Sequence, residues 1–309
     1  MKRKILCTLL ALGLLLSGCG TGQETAAPSD TAVTFTDDLG RSVTVDRPER
    51  VAALLGSFAQ IWQLAGGDVV AAADDAWEDL HLTLDEDTVN LGSTESLSLE
   101  LLLETQPDFI LASPNRRQNV EWQETLENIG ISVAYFDVSG FEDYLRVLQL
   151  CTDITGRADR YEEYGAAVER QIDEILQRRR TDSPTVLSMI ASASMVRAKN
   201  SESNVLGAML KAMGCVNIAD SGDMDLSDLS MEYILQADPD YIFIVQRGDD
   251  EEGMRAYVQQ FLMDHPAWSK LTAVQNGRVY FMEKTLYNLK PNHRWGEAYA
   301  KLEEILNHE

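Results

Sequence analysis

The stretch Leu99-Glu100-Leu101-Leu102-Leu103-Glu104-Thr105-Gln106-Pro107-Asp108-Phe109-Ile110-Leu111-Ala112 contains a helix, its stop and a buried strand in one phrase. Proline disfavours helical backbone in the residue before it, so the helix ends ahead of Pro107, and the uncharged run from Phe109 to Ala112 reads as a strand covered on both faces. The phrase recurs as Leu229-Ser230-Met231-Glu232-Tyr233-Ile234-Leu235, followed by Asp238-Pro239-Asp240-Tyr241-Ile242-Phe243-Ile244-Val245. Each copy carries an acid at the same helix position, Glu100 and Glu232, which the prolines do not require. A unit used twice in register implies two α/β lobes of similar build.

Working outward, residues 33–45 alternate apolar and polar around Asp38-Leu39-Gly40 and predict a hairpin. Short strands are predicted at 50–55, 69–73, 108–112 and 132–136, with helices at 58–64, 97–105 and 119–129 between them. Strands of that length alternating with helices give a parallel sheet with helices on both faces. The second half restarts the rhythm with strands at 185–190, 240–245 and 278–281. Its helices are predicted at 204–213, 230–236, 255–263 and 297–306. Between the halves, 141–180 shows no strand signal, and beyond a break near Thr155-Gly156 the spacing of Tyr161, Tyr164, Val168, Ile172, Ile175 and Leu176 is helical. That predicts one helix of about 25 residues, far above the usual mean of about 11 to 12, and a helix that long needs an architectural role. The expected organisation is an N-terminal lobe over 33–155, a connecting helix over 156–180, a C-terminal lobe over 181–309, and a ligand cleft between the two Rossmann-like lobes.

The N-terminus begins with Lys2, Arg3 and Lys4 and continues as an apolar run to Leu16, too short to span a bilayer, which reads as a cleaved signal over 1–18. The run closes on Leu16-Ser17-Gly18-Cys19, which resembles a bacterial lipobox, so Cys19 is expected to carry a lipid. Residues 19–32 are small and polar and read as a flexible tether. This would hold the protein at the outer face of the cell membrane. The formal net charge of −24 becomes −27 once the three leader bases are lost and no acid with them, which makes nucleic acid and anionic lipid poor partners. Cys7 leaves with the leader and Cys19 is modified, so Cys151 and Cys215 form no disulfide framework and read as buried small hydrophobes.

The duplicated phrase and the long linking helix resemble the helical-backbone class of substrate-binding proteins, which serve ABC importers for ferric siderophores, haem and cobalamin. The resemblance extends over nearly all of 33–309. It implies a monomer that delivers a captured ligand to a permease and its ATPase, with Glu100 and Glu232 docking on permease arginines; a solvated helix-face glutamate is the rival reading for each. It also implies only a small rocking of the lobes on ligand binding.

Open α/β sheets bind ligands at the carboxyl ends of their strands, so the loops of both lobes are expected to face one cleft. Basic residues are scarce in the chain, yet Arg116, Arg117, Arg197, Lys199, Arg247, Lys290 and Arg294 fall on those loops. Arginine forks pair with carboxylate or catecholate oxygens, which points to an anionic cargo. Ser57 belongs to the first of the loops. Trp77, Tyr287 and Trp295 offer flat apolar area for a macrocycle or for siderophore arms, with core packing an equal alternative. Tyr287, His293 and Met195 are residue types that can ligate haem iron. No protein-only metal site is expected: the four histidines fit no ligand spacing and no cysteine pair matches a zinc pattern. No nucleophile elbow, phosphate loop or dinucleotide fingerprint is present, so the chain is expected to bind without catalysing and to hold no intrinsic cofactor. The cargo expected is a ferric siderophore, then haem, then cobalamin; an adhesin or sensor lipoprotein is the alternative outside transport.

Overall fold

A computed structural model describes residues 31–202, 204–221 and 230–307. The leader, Cys19, most of the tether and Leu229 lie outside the described residues. The hairpin forms as β1 (Val33–Thr36) and β2 (Ser42–Val45), paired antiparallel. There follow β3 (Val51–Ala53), α1 (Gly56–Leu64), β4 (Val69–Ala72), α2 (Asp75–Glu78), β5 (Val89–Asn90), α3 (Leu99–Glu104) and β6 (Phe109–Ala112). The lobe continues with α4 (Arg117–Glu121), α5 (Gln123–Asn128), β7 (Ser132–Tyr135) and α6 (Phe141–Thr155). The one helix expected over 119–129 is thus two, broken at Trp122. Its strands lie in the order β5-β4-β3-β6-β7, all parallel.

The linking helix is shorter than its sequence suggests and is not uniform. Gly156 ends α6 in the left-handed conformation (φ 70°), and the chain then runs as α7 (Ala158–Tyr161), a π turn over Glu162–Ala166, and α8 (Ala167–Gln177). It stops at Gln177, short of 180, and beyond it the Arg180 side chain holds Asp182 and donates to the Leu306 carbonyl. The second lobe has β8 (Thr185–Ser192), β9 (Met195–Ala198), α9 (Val205–Ala212), β10 (Val216–Asn217), α10 (Met231–Ala237) and β11 (Tyr241–Gln246). It closes with α11 (Glu251–Val258), α12 (Thr272–Gln275), β12 (Val279–Met282), α13 (Lys284–Tyr287) and α14 (Trp295–Asn307). Its parallel order is β10-β8-β11-β12, with β9 antiparallel on β8.

The repeated phrase is a repeated set of contacts. Ser98 and Ser230 are the N-caps of α3 and α10, and each hydroxyl oxygen accepts from the backbone N–H three residues on, at 3.2 Å. Gln106 (φ 46°) and Asp238 (φ 42°) both take the left-handed turn before proline. After each proline an aspartate secures the neighbouring strand: Asp108 accepts from the Glu49 and Arg50 N–H groups, and Asp240 from the Thr185 N–H and hydroxyl. The strands that follow, β6 and β11, are buried on both faces.

One hydrophobic cluster joins the lobes. Phe58, Ile61, Phe109 and Phe136 of the first lobe pack in the same cluster as Ile172 and Ile175 of α8 and as Tyr241, Phe243, Trp295 and Leu302 of the second. Each lobe has a smaller separate cluster on the other face of its sheet. Cys151 and Cys215 are buried and unpaired, and burial pushes both thiols up to about 12, so they stay protonated and inert.

Candidate functional site

In each sheet the strand order reverses direction once, between β3 and β6 in the first lobe and between β8 and β11 in the second. The crevice outside the carboxyl ends at such a point is where open α/β sheets take ligands. The residues that follow those strands are Gly56-Ser57, Ser113 to Arg116, Ala193-Ser194 and Arg247. Close by, a cavity of about 360 Å³ is walled by both lobes: Gln60, Asp79 and His81 from the first, and Glu283, Lys290 and His293 from the second. A more open groove of about 480 Å³ also touches both lobes, at Gly140 and Ala208, but its one cation, Lys211, is paired with Glu202.

Two contacts hold the lobes together at this place. Asn292, fully buried with φ 53°, donates from its amide nitrogen to the Ser57 carbonyl at 3.0 Å and to Gln60 Oε1 at 2.7 Å. At the rim, Lys284 Nζ donates to Asp79 Oδ1 of the first lobe and Asp249 Oδ1 of the second, both at 2.6 Å. Burial pulls the Lys284 pKa down, but the bonds to Asp249 and Asp79 outweigh it and leave the ammonium above its ordinary value. Asp75 lies beneath, with its carboxylate accepting from the Gly56 N–H at 2.7 Å at the start of α1; burial nevertheless drives its pKa up to about 6.

The expected basic residues are distributed unevenly. Arg116 is half-buried and paired with Glu95 across two carboxyl-end loops. Arg117 points away to Glu121, one helical turn along α4. Arg294 is held by Glu297 at 2.8 Å and Glu283 at 3.3 Å. Arg247 is exposed directly after β11. Arg197 and Lys199, expected on a carboxyl-end loop, belong to a hairpin instead: β9 turns back along β8, setting Arg197 opposite Ile190, so both lie back from the carboxyl edge. A run of Met-Val-Arg-Ala after a tight Ala-Ser turn has strand alternation, which is the signal that was there to find. Tyr287 and Trp295 are 2% and 1% exposed, and both take the core alternative. The Tyr287 hydroxyl donates to the Ala298 carbonyl at 3.0 Å, and Trp295 packs edge-on against Phe141 at 5.8 Å. Trp77 stays half-buried on α2. Burial lowers the His293 pKa, keeping the imidazole neutral, and its Nδ1 has no hydrogen-bond partner among the described residues.

Glu100 and Glu232 are both exposed in the first turn of their helices. Helices that lead back to the start of a parallel strand begin at the carboxyl edge, so both acids stand on the cleft side of their lobes. First-turn acids also complement the helix dipole, which supplies a local reason for each.

Two α/β lobes sharing one core, with their carboxyl edges facing a common crevice, define a two-lobed ligand-binding protein. The chain belongs to the periplasmic binding protein family, whose model matches residues 51–286. It is accordingly a binder and not an enzyme. It is similar to YhfQ of Bacillus subtilis, provisionally named an ABC transporter substrate-binding lipoprotein, at 24% identity over 94% of this chain and 93% of that one. It is equally similar, at 24% over 98% and 96%, to the Fe(3+)-citrate-binding protein YfmC of the same organism. Among solved structures, SirA of Staphylococcus aureus, complexed with staphyloferrin B, shares the fold with a TM-score of 0.69 at 19% identity, covering 90% of this chain and 99% of that one.

Proposed function

We propose that this protein is the extracytoplasmic solute-binding component of an ABC importer and that its cargo is a ferric chelate, a siderophore or a citrate-type complex, held between the lobes. The observation that carries the reading is the cavity walled by both lobes at the carboxyl ends of their sheets, in a chain of this family. The relative named for ferric citrate supports the class of cargo. Within this reading the lobes over 33–155 and 181–309 move about the 156–180 helix, Cys19 carries the lipid that retains the monomer at the membrane, and Glu100 and Glu232 face the permease that works with an ATPase. Arg116 and Arg247 stand at the carboxyl ends and supply guanidinium donors for chelate oxygens.

The test is capture. Residues 20–309 are titrated with ferric citrate, ferric catecholate, ferric hydroxamate and haemin, following tryptophan fluorescence, with Trp77 beside the cleft as the reporter. Saturable quenching by one ferric complex, weakened by Arg116→Ala or Arg247→Ala, is the expected result. Quenching by haemin alone would replace the cargo, and no binding by any complex would overturn the reading.

A further inference from the structure

The cation at the rim is shared by two acids that belong to different lobes. Lys284, on α13 of the second lobe, donates to Asp79 at the end of α2 in the first lobe and to Asp249 after β11 in its own, both at 2.6 Å. Lys284 and Asp79 are mostly buried, whereas Asp249 stands in water. Asp79 lines the cavity between the lobes, and so do Glu283 and Thr285 on either side of Lys284. Parting the rim breaks the bond to Asp79, but the bond to Asp249 travels with Lys284 because both belong to the second lobe. An ammonium stripped of every carboxylate would make opening costly; one that keeps an acid escapes that penalty. Asp79 is thus a partner of the closed rim alone, and Asp249 serves both states. Deeper in, on the same segment, Asn292 is bonded to Ser57 and Gln60, which gives the segment a fixed point against α1. The size of the cavity gives the contact something to control. At about 360 Å³ it lies near the floor of the range for small-molecule pockets, about 300–1,000 Å³, so a bulky chelate enters only with the rim parted.

We propose that Lys284, Asp79 and Asp249 form an entry latch: the Lys284–Asp79 bond holds the rim closed, and Asp249 keeps the ammonium paired while the rim is open, so the latch parts and recloses at modest cost. The inference rests on the importer reading above and deepens it by giving the rim a part in the rate of capture, separate from the recognition of cargo.

The two acids give opposite predictions. Stopped-flow capture of ferric citrate, followed by tryptophan fluorescence, is compared in the parent, Asp79→Asn and Asp249→Asn. Asp79→Asn is expected to speed association about fivefold to tenfold, because the closed rim loses its bond. Asp249→Asn is expected to slow association about twofold, because the opened rim then leaves Lys284 with no carboxylate. Each variant removes one negative charge from the rim, so electrostatic attraction of an anionic chelate would speed both; only a latch separates their signs. Rates that move together, or do not move, overturn the proposal. Hydrogen exchange needs no cargo: the backbone amides of residues 79–82 and 284–288 are followed by mass spectrometry. The expected order is Asp79→Asn fastest, then the parent, then Asp249→Asn. That order absent or reversed refutes the latch whatever the cargo is. A parent that captures no ferric complex refutes the importer reading instead, and the exchange order alone then decides whether the rim is a latch.

Discussion

The Lys284 triad allows a sharp prediction because its two acids differ in setting while their distances to the ammonium are the same. Asp79 is 19% exposed and belongs to the first lobe; Asp249 is 81% exposed and belongs to the second. Lys284 is 15% exposed, so its charge depends on whichever partner excludes water best. Exposed pairs contribute about 0–1 kcal/mol, whereas removing one member of a buried pair costs about 3–5 kcal/mol. The Lys284–Asp79 pair is intermediate in burial and keeps a second acid when Asp79 is lost, so we expect Asp79→Asn to cost about 1–2 kcal/mol and Asp249→Asn less than about 0.5 kcal/mol. Urea unfolding followed by tryptophan fluorescence measures both. With a slope of about 2–3 kcal/mol/M, the Asp79→Asn midpoint falls by about 0.5 M and that of Asp249→Asn barely moves. Raising NaCl to about 1 M, where screening acts over about 3 Å, removes the small Asp249 effect and spares most of the Asp79 effect. Equal losses in the two variants would refute the argument, because burial would then have no part in the strength of the lock.

Asp75 should make stability depend on pH. Its folded pKa of about 6 lies above the ordinary 3.8, so its contribution is complete below about pH 4 and is lost as pH rises through 6. Asp75→Asn keeps an acceptor for the Gly56 N–H, so it is expected to stabilise by about 1–3 kcal/mol at pH 7 and to change little at pH 4, read from urea midpoints at both pH values. Ser98→Ala and Ser230→Ala each remove an N-cap and should cost about 1 kcal/mol by the same assay, additively because they belong to different lobes. Glu100→Ala and Glu232→Ala are expected to leave ferric-complex affinity unchanged and to abolish uptake of labelled iron in cells; uptake at the parent rate would return both acids to the helix-dipole role.

Which parts of the molecule were legible follows from how local each signal is. The duplicated phrase is legible because every device in it, from serine cap to strand-securing aspartate, acts within a few residues or on the adjacent strand. The strands β6 and β11 announce themselves through uncharged runs flanked by proline. β5 and β10, two residues each, carry no such run and exist because a neighbouring strand offers them hydrogen bonds. The π turn in the linking helix was hidden too, since apolar spacing records which face is buried and not the ladder that holds it. Loop membership put Arg116 and Arg247 just after β6 and β11, where the structure has them, but the pairing of residues was beyond reach. Lys284 and Asp79 are 205 positions apart, and nothing near either one names the other. Tyr287 and Trp295 illustrate the opposite case: an aromatic on a loop adjoining a helix is as well suited to a core as to a ligand, and here the core takes both.

The joints between the lobes differ in strength, and that difference constrains how a cargo enters. The floor is apolar and continuous: Trp295, Phe141, Leu302 and Ile172 would all have to be uncovered for the lobes to separate widely. Exposing even a few such side chains costs about 1.5–3 kcal/mol each, which a ligand would have to offset from its own contacts. The Asn292 clip adds hydrogen bonds to the Ser57 carbonyl and the Gln60 side chain. The rim is held by Lys284 and Asp79, whose bond can be exchanged for water at modest cost. Any opening is therefore expected at the rim, with Asn292 keeping its segment against α1 of the first lobe as the rim parts. Under the importer reading, a cargo then meets walls already in place, and the energy of capture goes into its own contacts and not into building the site.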